Sequence, residues 1–366
     1  MQVKTRKNYP RLIVCSLLLL VLYVPCIAQT EKDSLILEDL ESILLDKEIP
    51  GIQVMHVKDG QAHAYVQGET IASTGIPVQK NTIFQAASLS KAVFAYAALR
   101  LYDQGVFDLD TPLQDYWVYD RLSADPRGKK MTARMVLSHS TGLPNWQMST
   151  GRPEWKTSKL EVAFDPGTAF RYSGEGFYFL QKVLEHLTGK TVDEIVQEQV
   201  LEPFGMDRSG FVWDPKMKES YTVGHRSEYR PYKLRQFKAG NAAYTLLTTA
   251  KDYTAFIQQG LLEGKGLKPE TYKEMCTITN SAQPSDKSGQ AYEHLGYGLG
   301  IIIQDNEKGV AYTHGGSNTG YRCFFIAYPE TKESLVFFTN SATGRDAFDD
   351  LVNLFLEQQS FWTLQR

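Results

Sequence analysis

Beyond its N-terminus the chain has no long basic run, and its net charge is only −3. A nucleic-acid partner is therefore not expected. Its seven histidines include no H-E-x-x-H or other close ligand spacing, so neither a metal nor another cofactor is expected. No G-x-S-x-G elbow occurs. There is no internal repeat or low-complexity tract. Cysteine is scarce: of four, Cys15 and Cys26 lie in the N-terminal segment, leaving Cys276 and Cys323. That pair could form a disulfide in an exported protein, or stay as two buried thiols. No apolar run comfortably spans a membrane, because the longest is Leu12 to Val24.

What is present starts with that run. Lys4, Arg6, Lys7 and Arg11 precede it, and Cys26-Ile27-Ala28 follow it with small residues suited to cleavage before Gln29. Residues 1–28 thus read as a signal peptide, and the mature chain as exported, periplasmic or secreted. An uncleaved membrane anchor is the alternative. The remainder, 29–366, reads as one catalytic domain. The composition, 42% hydrophobic and 22% charged, supplies ample core for one large domain or two lobes.

Apolar spacing predicts a helix over Ser34 to Lys47 and a hairpin turning at Asp59-Gly60. Helices are predicted after Ser88, over Gly176 to Leu187, from Thr191 to about Leu201, and over Asp346 to Gln358. Four late strands are predicted: 298–303, 309–313, 322–328 and 334–339. Strands at both ends with helices between suggest one sheet built from 31–106 and 246–360, and a helical lobe over 107–245.

The chemistry starts at Ser88-Leu89-Ser90-Lys91. Positions i and i+3 share a helix face, so the Ser88 hydroxyl and the Lys91 amine can touch. A lysine can take the serine's proton if burial lowers its pKa enough to leave it neutral. A helix start also offers N–H groups to an oxyanion. The tetrapeptide alone is common enough to arise by chance, so its company matters.

Three further segments can supply the rest of such a site. Tyr172 and Ser173, with Gly174, follow Pro166-Gly167 on a loop before a helix. Tyr172 can shuttle a proton if nearby lysine charge lowers its pKa, or it can cap a hydrophobic corner. His314-Gly315-Gly316-Ser317 ends a predicted strand. Its glycines allow a backbone to approach a ligand closely, or make a simple turn. Leu137-Ser138-His139-Ser140 reads as a structural helix end, since adjacent Ser and His side chains do not face each other.

In that order, Ser88-x-x-Lys91, Tyr172-Ser173 and His314-Gly315-Gly316 resemble the serine β-lactamase and penicillin-binding-protein superfamily. The class C branch is the nearer match. Supporting phrases are Leu137-Ser138-His139-Ser140-Thr141-Gly142-Leu143, Glu202-Pro203-Phe204-Gly205-Met206 and Gly296-Tyr297-Gly298-Leu299-Gly300. The resemblance spans roughly 35 to 358. It implies an α/β (α+β) fold: an antiparallel sheet flanked by helices plus an all-helical lobe, with the site in the cleft between them. It implies acylation of Ser88, proton handling by Lys91 and Tyr172, and an oxyanion hole from the N–H groups of Ser88 and Ser317. Ser173, Gly174 and the His314-Gly315-Gly316 strand would line the substrate.

Two positions depart from the pattern. Gly174 stands where β-lactam- and peptide-binding relatives usually carry an amide-binding Asn. His314 stands where many carry Lys, and an imidazole is largely neutral above about pH 6.5. Both lean the expected substrate toward carboxylic esters or small amides. D-alanyl-D-alanine peptides and β-lactams are the alternative, and a non-catalytic penicillin-recognising binder or sensor is the alternative of another class.

Overall fold

The computed structural model describes residues 33–281 and 295–357. The signal segment, with Cys15 and Cys26, lies outside the described residues. Among the described residues, no helix is long and apolar enough to cross a membrane.

Among the described residues ten strands run β1 (Gly51–Lys58), β2 (Gln61–Gly68), β3 (Phe84–Gln85), β4 (Leu247–Thr248), β5 (Asn280–Ser281), β6 (Leu295–Tyr297), β7 (Ile302–Asn306), β8 (Gly309–Asn318), β9 (Tyr321–Ala327) and β10 (Ser334–Thr339). Eight form one antiparallel sheet in the order β2-β1-β10-β9-β8-β7-β6-β5. The sheet therefore joins both ends of the chain, with β1 beside β10. Between β3 and β4 the named elements are all helical, mostly short, and linked by loops.

Both sheet faces are covered, and strand alternation decides which residue meets which layer. Phe324, Ile326, Leu335 and Phe337 pack with the terminal helices, 33–46 and Phe348–Leu356. The intervening Cys323, Phe325, Val336 and Phe338 face the opposite layer. There Phe325 and Phe338 pack on the Tyr253 ring, in the same core as the Ser90–Asp103 helix, which is buried along almost its whole length from Ser90 to Leu101. That burial suits its Ala-rich sequence, because small side chains let neighbouring segments approach closely, as Gly300 does at Ala95.

Two strand expectations need correction. Gly298-Leu299-Gly300 is a bend between β6 and β7, not strand. Gly300 has φ +90°, and a Cβ there would sit 2.1 Å from the Ala95 methyl. Gly300 thus permits close passage over the Ser90–Asp103 helix, whereas Gly298 is crowded by the Met275 and Thr277 carbonyls. In contrast, β8 runs past its expected end through His314-Gly315-Gly316-Ser317 to Asn318. The glycine pair is extended strand, and the turn falls at Thr319-Gly320. Cys276 and Cys323 are free thiols rather than a disulfide.

Candidate active site

Ser88 sits in a 3-10 turn, Ala87–Leu89, immediately before the long helix. Ala87 holds φ +47°, a left-handed conformation unusual for a residue with a side chain. The turn is pinned on both sides. Ser90 Oγ donates to the Ala87 carbonyl at 2.5 Å and accepts the Leu246 N–H at 3.0 Å. Tyr253 Oη donates to the Leu89 carbonyl at 3.0 Å.

Lys91 is 1% exposed. Its ammonium nitrogen lies 3.3 Å from Ser88 Oγ and 2.8 Å from the Ala243 carbonyl, and it faces the Tyr172 and Phe177 rings. Among the described residues no carboxylate pairs with it, and burial lowers its pKa from 10.5 to about 7. The expected contact and the expected direction of shift are both present.

Tyr172 departs from expectation. Burial raises its phenol pKa; lysine charge does not lower it. Its hydroxyl oxygen is buried and makes no hydrogen bond of good geometry, although Ser88 is the neighbour that most favours its ionised form. Tyr172 is a neutral phenol beside a lysine that is largely neutral above about pH 7.

His139 lies under that ring and acts through position, which the sequence alone did not show. Its Nδ1 accepts the Ser173 N–H at 3.0 Å, and its ring packs against Tyr172, tilted by 32° with centroids 4.3 Å apart. Burial drives its pKa well below the ordinary value, with the Lys91 charge adding to the effect. The Ser-His pair in this segment is not a catalytic dyad; Ser138 Oγ donates to the Arg134 carbonyl, a helix-end contact.

His314 is buried and turned from the cleft. Its ring accepts from Tyr297 Oη at 3.1 Å through Nε2, so Nδ1 carries the proton and donates to the Gly315 carbonyl at 2.7 Å. Burial lowers its pKa to about 3, helped by Lys91, so it carries no charge at neutral pH. Gly316 permits close packing of β8 on the Ala87–Leu89 turn: a Cβ there would lie 2.8 Å from the Ala86 carbonyl and 2.3 Å from Cys323 Sγ.

The site divides into two spaces. A cleft of about 750 Å³ holds Ser88, Lys91 and Ser317, walled by Asn145, Trp146 and Tyr244. A smaller cavity of about 120 Å³ holds Tyr172, His314, Gly315 and Gly316. Arg322 borders both. Ser173 and Gly174 line neither. Ser173 Oγ caps the Gly174–Thr188 helix, accepting the Gly176 N–H at 2.9 Å and donating to the Pro144 carbonyl. Gly174 lies beneath Trp146; a Cβ on it would sit 2.4 Å from the indole. Asn145 fixes this loop by accepting the Gly174 N–H at 3.0 Å. Glu175 ties the next residue to Arg121, Trp155 and the Gln147 N–H.

Comparison with known proteins gives the family and the fold. The chain belongs to the Beta-lactamase family, whose model matches residues 33–359. Penicillin-binding protein 4 of Amycolatopsis lactamdurans is 22% identical over 86% of this chain and 87% of its own length. Lovastatin esterase of Penicillium rubens is 26% identical over 37% of this chain and 41% of its own. The structure of a class C beta-lactamase superposes with TM-score 0.73 at 18% identity, covering 91% of this chain and 98% of that one. The fold is the β-lactamase/transpeptidase-like one, and the protein is a hydrolase of the serine β-lactamase and penicillin-binding-protein superfamily.

Proposed function

We propose that the protein is an exported serine hydrolase that forms an acyl-enzyme on Ser88 and acts on carboxylic esters or small amides. The observation that carries this reading is Lys91: dry, 3.3 Å from Ser88 Oγ, and poised with a pKa of about 7. Neutral Lys91 accepts the Ser88 proton as Oγ attacks the substrate carbonyl. The N–H groups of Ser88 and Ser317 receive the oxyanion. The proton then passes through Lys91 and the neutral Tyr172 phenol to the leaving group. Water attacks the acyl-enzyme by the reverse route, giving the acid and free Ser88. Export rests on the basic and apolar N-terminal segment.

Ester and small-amide preference is supported by Trp146 over Gly174, which leaves no room for an amide-binding side chain at 174. The neutral, inward His314 supports it too. A second reading, a D-alanyl-D-alanine peptidase or β-lactamase, is favoured by the match to a penicillin-binding protein over 86% of this chain. A chromogenic short-chain ester and a chromogenic cephalosporin, assayed side by side on wild type and Ser88→Ala, separate the two. Fast cephalosporin turnover without esterase activity would overturn the ordering. Absence of any fluorophosphonate or penicillin adduct on Ser88 by intact mass would favour a non-catalytic binder.

A further inference from the structure

The helix-layer face of the sheet opens at its edge into a second space. Over β1 and β2 lies a groove of about 460 Å³, a size usual for a small-molecule site. It shares no lining residue with the Ser88 cleft, whose mouth carries Lys233 and Arg235.

Strand register makes the floor. Gln53, Met55 and Val57 of β1 stand opposite Val66, Ala64 and Ala62 of β2, so all six share one face. From the Val57–Ala62 pair to the Gln53–Val66 pair the floor runs about 13 Å, at roughly 3.3 Å per residue. The Ala250–Phe256 helix forms one wall through Ala250, Thr254 and Ala255. On the other side nothing follows β2, the last strand of the sheet among the described residues. An edge strand with one face toward water normally puts polar residues on that face. Here the order is reversed. His63 and Gln67 share the Tyr65 face, which packs with the terminal helices, whereas Ala62, Ala64 and Val66 line the groove. The two alanines have too little side chain to fill it.

One end of the groove is charged. Gln53 is buried there and ties two segments together. Its Nε2 donates to the Gln79 and Thr82 carbonyls at 2.5 and 2.8 Å, and its Oε1 accepts the Ala250 N–H at 2.9 Å. Lys80 follows Gln79 and Lys251 follows Ala250, so both lysines are anchored at this end, and both line the groove. They are exposed, and among the described residues neither forms an ion pair. The acid on the lining, Asp252, is already engaged: its Oδ2 accepts from the Arg208 N–H at 2.7 Å and the Ser209 hydroxyl at 2.9 Å.

An apolar strip open to water calls for an apolar partner, and two ammonium groups at its end call for an anionic head. A straight-chain carboxylate supplies both. We infer that this groove binds a free fatty acid, its carboxylate at Lys80 and Lys251 and its chain along Val66, Ala64 and Ala62 toward Gly60. The site does not depend on the acyl-enzyme reading of Ser88.

Dodecanoate, kept below its micelle concentration and titrated by calorimetry, is the probe. It should bind about tenfold or more tighter than octanoate, because each methylene laid on the floor leaves water. It should also bind at least tenfold tighter than dodecyltrimethylammonium, which has the same tail and the opposite charge. Lys80→Gln with Lys251→Gln changes only exposed side chains. It should erase the preference between heads and keep the dependence on tail length. Ala64→Phe fills the floor and should weaken dodecanoate at least tenfold while short-chain ester turnover stays unchanged. A photoreactive diazirine fatty acid of the same length should label 61–68 or 250–258, read by peptide mass spectrometry. Equal affinity for the two heads would overturn the inference. So would label confined to peptides of the Ser88 cleft, which would place the acid there instead. A dimer that Ala64→Phe dissociates, in a protein that binds no dodecanoate, would give the groove to a second copy of the chain and also overturn it.

Discussion

The pocket around Ser88 and the mouth of the cleft handle charge in opposite ways. Around Ser88, burial neutralises: Lys91 titrates near 7, His314 near 3, and the Tyr172 phenol keeps its proton. At the mouth, Lys233 and Arg235 stay exposed and charged, and Arg322 is held half-buried by two carbonyls. The lesson is that one residue type serves two purposes according to its water. A dry lysine is a base, whereas a wet lysine is an attractant. Substitutions in the pocket should change rate, and those at the mouth should change preference.

The largest expected effect is at Ser88 itself. Ser88→Ala should lower ester turnover by about 10³-fold or more and abolish fluorophosphonate labelling on intact mass spectra. Its stability should stay within about 1 kcal/mol by urea unfolding, because Ser88 is only half-buried and carries no charge.

Lys91→Met should cost nearly as much activity, yet stabilise the fold. The folded pKa, about 7, lies below the ordinary 10.5. Between those values the unfolded chain binds more protons, so stability rises with pH, and below about 7 the protein carries the full penalty of a buried cation. The substitution should therefore add roughly 1–4 kcal/mol at pH 6 and progressively less toward pH 10. Urea melts at both pH values check this. The loss of the Lys91 hydrogen bond to the Ala243 carbonyl works against the gain. In the wild type, kcat/KM should rise with pH through about 7, as Lys91 becomes neutral.

Much of this pocket was legible in the sequence, because Ser88 and Lys91 are joined by local helix geometry, and spacing suffices for that. The strand layering was legible for the same reason: period two places Phe324 and Phe325 on opposite faces. What distant parts do to each other was not. The sequence left Tyr172 open between tuning by lysine charge and a hydrophobic corner, and the aromatic packing of His139 and Tyr297 around it makes burial the stronger influence. Gly298 to Ile303 reads as strand, and only contact with Ala95 shows why the chain must bend there. Arg322 looks like any strand residue until register sets it beside Ser317.

Tyr172→Phe sharpens the contrast further. The hydroxyl is buried without a well-formed hydrogen bond, so its removal should leave stability unchanged or improve it by up to about 1 kcal/mol. Proton transfer should suffer, with kcat falling about 10²-fold. A large loss of stability with unchanged kcat would reverse the role argued for this residue and return it to a hydrophobic corner.

The smallest effect on turnover, and the most direct test of the boundary between pocket and mouth, is at Gly174. An Asn there would drive its Cβ into the Trp146 indole, which has little freedom to yield. Trp146 stands edge-on to Tyr244 and Trp155, with centroids 5.5 and 6.0 Å away. Overpacking of this kind costs typically about 1–3 kcal/mol. Gly174→Asn alone should therefore destabilise by that amount and change ester turnover only a few-fold. Trp146→Ala should relieve the clash, so the double variant should be more stable than the sum of the single effects, a positive coupling of about 1 kcal/mol or more. If the effects simply add, the indole is not what closes this position. The ester preference would then have to come from the charges at the mouth.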